Sequence, residues 1–221
     1  MGCRQTKPEK EEKSAPCVQL ENLNDKQGNG LQKVDPRLPL DARQVFKLKQ
    51  SWKGIKRNME ETGMEMFIRL FKSNAYLIKI FKDFKQLETE DEMRANESLE
   101  KHATFVMTTL DEAISNIDNY DFVKDLLTRT GCSHQRFSEF QKDNFLKIRQ
   151  PFLDAVKITL GDRYTDYMEN VYTLTINFIL QGLMDGYMDD TAIQIKLDSG
   201  HEIDRNIHEA NDTTFVKAAE S

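Results

Sequence analysis

His102 and His134 are the two side chains whose type and setting point to chemistry at a buried site. The chain has four histidines, and His201 and His208 lie in a polar, acidic C-terminal stretch where solvated imidazoles are expected. His102 instead falls among Leu99, Val106, Leu110, Ala113 and Ile117, whose three- and four-residue steps trace one face of an amphipathic helix. His134 sits in "TGCSHQRF", just past a short helical run. A lone histidine on such a face is ordinarily a hydrogen-bonded core residue. A pair brings in metal chemistry, because neutral imidazole is the commonest metal ligand and a haem iron takes axial ligands from opposite faces of a flat ring.

Other chemistries fit less well. Zinc would need more than Cys132 and His134, and no second Cys/His pair completes four ligands. Nucleophilic catalysis would need a nucleophile elbow or a base-orienting acid, and neither is recognisable. "DGYMDD" lacks the alternating oxygen ligands and closing glutamate of a calcium loop. The scattered methionines read as core filler. A helical scaffold without a cofactor stays open beside a porphyrin pocket walled by helices and phenylalanines.

The elements that must position these histidines are helical. Asp41 is placed as the N-cap of a helix whose apolar face is Val45, Leu48, Trp52 and Ile55. Gly63 reads as a weak point before a run from Met64 to Phe71, and "SNAYLIKIFKDFKQL" reads as short helical turns. After the acidic loop "ETEDE" comes the helix bearing His102, which runs to about Asn116. A short helix follows from Asp121 to about Arg129, ending near Gly131. Two long helices remain, facing inward with Phe145, Ile148, Phe152, Val156 and Leu160, and with Tyr167, Val171, Leu174 and Phe178. Gly161 separates them as a helix stop. Hairpin signals are missing from the middle of the chain, so the class is all-α, six to eight helices around one core.

At 221 residues the chain suits one domain with polar ends. We expect a disordered N-terminal tail over 1–38, a folded domain over 39–187 and a disordered acidic tail over 188–221. From Gln181 onward nine acidic side chains face only Lys196, Arg205 and Lys217, which accounts for the whole formal charge of −6. The middle is near neutral and has no basic stripe, which argues against nucleic acid as a partner. Three cysteines cannot make a disulfide framework, and no apolar run reaches the length of a membrane span.

The opening "MGCRQT" fits the N-myristoylation pattern, with Gly2 as acceptor and Thr6 in place. One myristoyl chain holds a protein only marginally, and Cys3 is placed to supply the second signal as a palmitoyl site. Arg4, Lys7, Lys10 and Lys13 add little, because Glu9, Glu11 and Glu12 offset them. The expectation is a dually acylated chain held at a membrane.

The order of these features resembles the globin family. "RLFKSNAYLIKIFKDFKQLETEDEMRANESLEKHATFVMTTL" is similar to the globin segment from the B helix through the C–D region into the E helix. Within it Phe67 matches the B-helix residue facing the distal pocket, and Phe81 the phenylalanine that packs on haem at the C–D corner, with Phe84 after it. His102 matches the distal histidine and Val106 the apolar residue beside the ligand site. Trp52 matches the A-helix tryptophan, and His134 the proximal histidine. "HATFVMTTLDEAISNI" resembles the E helix of neuroglobin-like chains, and "NFLKIRQPFLDAVKITLG" and "YMENVYTLTINFILQGL" resemble the G and H helices. The resemblance covers about residues 40–187, and with Gly2 and Cys3 it extends to globin X, the membrane-bound branch of neuroglobin-like globins. Three positions depart from the pattern: Ala75 for a usual proline, Phe105 for a usually polar residue near the haem edge, and Thr130 for a usual leucine one turn before His134.

This resemblance implies a globin fold around haem b, with His134 as proximal ligand and His102 on the distal side, either standing off the iron to donate a hydrogen bond to bound O2 or, the favoured case, binding the iron itself in a bis-histidyl state. It implies a pocket lined by Phe67, Phe81, Phe105 and Val106, with Phe105 shielding the distal side and Thr130 leaving slack or a hydrogen bond beneath the ring. A backbone carbonyl or Ser133 would hold the second ring nitrogen of His134. The small ligands implied are O2, CO, NO or nitrite, with an electron donor as partner. Localisation would be lipid-anchored, at the cytoplasmic face of the plasma membrane or of another membrane. Redox or gas sensing or electron transfer leads. Nitrite reduction or NO turnover as an enzyme, and O2 storage or transport, are the alternatives.

Overall fold

The computed structural model describes residues 34–188. Gly2, Cys3 and the acidic C-terminal stretch lie outside the described residues. Within them the chain is all-helical, with eight α-helices, three 3-10 segments and no strand.

α1 (Ala42–Lys56) starts at a reciprocal cap, in which Asp41 Oδ1 accepts from the Gln44 backbone N–H at 2.8 Å and Gln44 Oε1 accepts from that of Asp41 at 2.9 Å. Val45, Leu48, Trp52 and Ile55 are buried, as the three- and four-residue spacing predicts. Packing begins slightly before the expected boundary, since Leu38 is buried along with Leu40. Trp52 Nε1 donates to Asp111 Oδ1 at 2.8 Å, which ties this helix to the one bearing His102.

α2 (Met59–Ser73) corrects the expected break at Gly63, which lies inside the helix. A Cβ at Gly63 would stand 2.8 Å from Met107 Cγ and 3.2 Å from the Ala103 carbonyl oxygen. The glycine therefore marks where another helix crosses closely, and the helix hydrogen bonds run on through it. The segment Ala75–Ile80 is 3-10, in keeping with the expected short turns. "ETEDE", expected as a loop, forms α3 (Glu90–Arg94). The Thr89 hydroxyl accepts from the Glu92 N–H at 3.2 Å, and the Glu92 carboxylate accepts from the Thr89 N–H at 3.0 Å. Arg94 then pairs with Glu65 and Glu90, each at 2.8 Å, so the charges act in local pairs.

α4 (Glu97–Ser115) bears His102, and Asn96 caps it by accepting from the Leu99 N–H at 2.9 Å. α5 (Tyr120–Ser133) runs past Gly131 to the residue before His134. α6 (Asn144–Lys147) and α7 (Arg149–Leu160) replace the single helix expected there. Pro151 has no N–H to give to the Lys147 carbonyl, so the ladder is interrupted at the join. Gly161, at φ +54°, ends α7 in the left-handed region that suits glycine. α8 (Asp166–Tyr187) buries Met168, Val171, Tyr172, Thr175, Ile176 and Ile179. Its inward face is turned from the expected one: Tyr167 is exposed, and Leu174 and Phe178 are half-buried against the core. A long helix surrounded on most sides carries a weak stripe, and that makes its orientation hard to read.

α2 packs across α4 and α7, and α5 lies along α8 in the most extensive of the helix pairings. Two glycines allow that last approach. A Cβ at Gly131 would collide with the Leu183 carbonyl oxygen, and one at Gly186 with the Thr128 carbonyl oxygen. Rigid backbone stands opposite each, so neither clash can be relieved by a rotamer change. Gly131→Ala should therefore lower stability by about 1–3 kcal/mol, against the about 0.5–1 kcal/mol gain that alanine gives in an unobstructed helix. Denaturant unfolding of the haem-free chain checks the sign.

Candidate functional site

His102 sits on α4 beside the buried row formed by Leu99, Ala103, Met107 and Leu110. It is half-buried, as is Val106 one turn on, so both lie on the shoulder of the stripe where the spacing alone placed them at its centre. Three phenylalanine rings hold the imidazole. The Phe81 centroid lies 4.9 Å from that of His102, edge-on, with Phe67 at 5.1 Å, also edge-on, and Phe84 at 6.3 Å. Phe81 and Phe84 stack on one another at 4.6 Å, and Phe71 closes the group at 5.6 Å from Phe81. α2 delivers Phe67 and Phe71, and the turn after the 3-10 segment delivers Phe81 and Phe84.

His134 follows directly on α5, in the 3-10 turn His134–Arg136. Its Nδ1 is 2.8 Å from the Thr130 carbonyl oxygen. A carbonyl can only accept, so Nδ1 carries the proton and Nε2 is left with the lone pair. Of the two expected holders the backbone carbonyl is the one found. The Ser133 hydroxyl donates to the same oxygen at 2.7 Å. The Thr130 side chain is used elsewhere, its Oγ1 donating to the Leu126 carbonyl at 2.8 Å. The departure from leucine at this position thus places its hydroxyl in a bond within its own helix.

A second aromatic group encloses His134. Phe140 and Phe145 each have their ring centroid 4.9 Å from the imidazole, with Phe137 at 6.3 Å. Tyr187, the last residue of α8, packs on Phe140 and Phe145 and donates its hydroxyl to the Phe140 carbonyl at 2.9 Å. Gln135 Nε2 donates to the Tyr187 carbonyl. The end of α8 therefore braces the His134 turn through two hydrogen bonds.

Electrostatics agree on both sides. Desolvation, with a smaller contribution from the proximity of His134, pushes the His102 pKa down to about 4. His134 is also pushed down, mainly by burial, against the opposing effect of its bond to Thr130. Both imidazoles are held neutral, the form in which nitrogen can bind a metal. The donor set is thus two neutral imidazoles in aromatic surroundings. That chemistry fits an iron porphyrin. No cluster of three or more His, Cys, Asp or Glu among the described residues could hold a metal ion, so Cys132 and His134 gain no partners for zinc.

The structure brings Phe67 and Phe81 onto the ring of His102, with Val106 one helical turn along the same helix. Phe105, on the same helix, is 43% exposed. The sequence reading missed Phe137, Phe140 and Tyr187 as neighbours of His134, and gave Phe145 only a packing role. The signal was in "HQRFSEFQKDNF", where phenylalanines recur every few residues after the histidine. Because the holding group is a main-chain carbonyl, Thr130→Val should leave the His134 hydrogen bond intact. We expect an unchanged visible spectrum of the haem-loaded chain and a stability change within about 1 kcal/mol.

A model of the Globin family matches residues 64–183, a span that includes both histidines. The chain is 29% identical over 140 residues to neuroglobin of Dissostichus mawsoni, covering 61% of this chain and 87% of that protein. It is 28% identical over 96 residues to cytoglobin-1 of Oryzias latipes, covering 43% of this chain and 54% of that one. Among solved structures, a hexacoordinated heme protein from an anhydrobiotic tardigrade, crystallised at pH 4, aligns with a TM-score of 0.68 at 35% identity. That alignment covers 70% of this chain and 99% of the other.

Proposed function

This chain belongs to the globin family and its cofactor is haem b; from that premise we propose that it is a bis-histidyl, hexacoordinate haem protein. We place it at a membrane, binding O2 and other diatomic gases and acting in redox or gas sensing or electron transfer. The observation that carries the reading is the pair of imidazoles at His102 and His134, each enclosed by phenylalanine rings, with His134 oriented by the Thr130 carbonyl.

Haem supplies an iron that binds gases and changes oxidation state, and the chain's own side chains decide how accessible it is. His134 holds its place through the Thr130 carbonyl, which fixes the tautomer and aims Nε2. His102 is held by Phe67, Phe81 and Phe84, and must move against those rings before a gas can take its position. An entering ligand therefore competes with an internal one, and the apparent affinity falls by the fraction of time the site is closed. Such a protein is poorly suited to bulk O2 delivery and well suited to exchanging electrons. The likeness to a protein described as hexacoordinated supports the same reading.

Ferrous absorption spectra with and without CO test it. The parent chain should be six-coordinate and low-spin before CO is added, and His102→Leu should be five-coordinate. An unchanged ferrous spectrum in the variant would refute ligation by His102. Turnover of nitrite or NO with a supplied reductant separates an enzyme from a sensor.

The membrane part of the reading rests on "MGCRQT", with myristoyl on Gly2 and palmitoyl on Cys3. It fits a lipid anchor, since no helix among the described residues is long and apolar enough to cross a membrane. The anchor would hold the chain at the cytoplasmic face, with its electron donor in the same compartment. Gly2→Ala should move the protein from the membrane fraction to the soluble one. A variant as membrane-bound as the parent sinks the tether and leaves the haem chemistry untouched.

A further inference from the structure

A groove on the far side of α2 and α7 carries chemistry that the two histidines do not use. Its volume is about 230 Å3, and it is lined by Arg69, Lys72, Ser73 and Asn74 from the end of α2 and by Lys147, Gln150, Pro151 and Asp154 from the α6–α7 junction. Three cations therefore face one carboxylate. Arg69 Nε pairs with Glu65 at 2.6 Å, and Lys72 pairs with Glu90, both carboxylates outside the lining. Asp154 is engaged within the groove, accepting from Gln150 Nε2 at 2.8 Å and lying 4.0 Å from the Arg69 guanidinium. Lys147 is exposed and has no ion-pair partner among the described residues.

We propose that this groove is a binding site for a phosphate-bearing ligand. The lining offers many N–H and O–H donors and only one carboxylate, and that one is already satisfied. A group with several acceptor oxygens and more than one negative charge answers such a surface better than a neutral or cationic molecule does. Arg69 supplies a planar fork, and Lys72 and Lys147 supply point charges from both walls. The volume suits a compact head such as a pyrophosphate or a phosphorylated headgroup, and falls below that of a drug-sized pocket. Tyr76, two residues beyond Asn74 in the 3-10 segment, and Leu146, next to Lys147 in α6, are 52% and 46% exposed and give the surroundings an apolar component that a lipid headgroup site would use.

The elements that line the groove also reach the two histidines. α2 carries Phe67, which packs on His102, and α6 carries Phe145, which packs on His134. A ligand bridging Lys72 and Lys147 would link these elements from outside. The proposal does not depend on acylation, because every lining residue lies in the folded domain.

The unacylated full chain, loaded with haem, is titrated calorimetrically with inorganic pyrophosphate. In parallel it is sedimented with phosphatidylcholine vesicles, with and without phosphatidylinositol phosphate. Lys147→Glu, a change at an exposed residue, should weaken binding of the effective probe by about tenfold or more, with an unchanged haem spectrum reporting an intact fold. Lys147→Arg should restore it. Binding of pyrophosphate points to a soluble phosphate compound, and binding only to the phosphoinositide vesicles points to a headgroup. Absence of both, or binding that Lys147→Glu leaves unchanged, overturns the proposal.

Discussion

Two imidazoles are held neutral, each enclosed by phenylalanine rings, and much of the structure follows from that. Neutrality comes from burial, which removes the water a charged ring would need. Position comes from different devices on the two sides. His134 is held by a main-chain carbonyl of its own helix, so its orientation survives changes in the neighbouring side chains. His102 is held by ring contacts from two other elements, a softer restraint that resists movement and still permits it.

That asymmetry suits one permanent ligand and one that gives way. Rigidity on the His134 side is reinforced from a distance. The close approach of α5 to α8 at Gly131 and Gly186 fixes the helix that ends at the histidine. Tyr187 and Gln135 tie the turn beyond it to the end of α8. On the other side Gly63 lets α2 cross α4 next to Ala103, so Phe67 reaches the ring of His102. Small residues at the crossings and large rings at the site are two parts of one arrangement. Where backbones meet closely, the phenylalanines are left to fill the space around the histidines.

The phosphate groove lies outside this arrangement but on the same elements. α2 has one face toward His102 and ends in Arg69, Lys72 and Asn74 at the surface. The α6–α7 junction, broken at Pro151, likewise has Phe145 inside and Lys147 outside.

Much of the fold was legible in the sequence because it rests on local regularities. The spacing of Val45, Leu48, Trp52 and Ile55, the cap at Asp41 and the stop at Gly161 are all decided within a turn or two of helix. His102 and His134 could be singled out because an imidazole is conspicuous in an apolar pattern. What local pattern misread depended on a partner distant in sequence. Gly63 and Gly131 looked like helix ends and are crossings, a distinction set by the backbone opposite. The inward face of α8 was misjudged because a helix surrounded on most sides leaves little periodic trace. The Thr130 carbonyl could not be read from side chains, since every residue has one and only the fold decides which is within reach of an imidazole. The sequence by itself determined the class of helices and singled out His102 and His134. Tertiary structure decided which groups hold them, because that depends on distances between segments that no local pattern encodes.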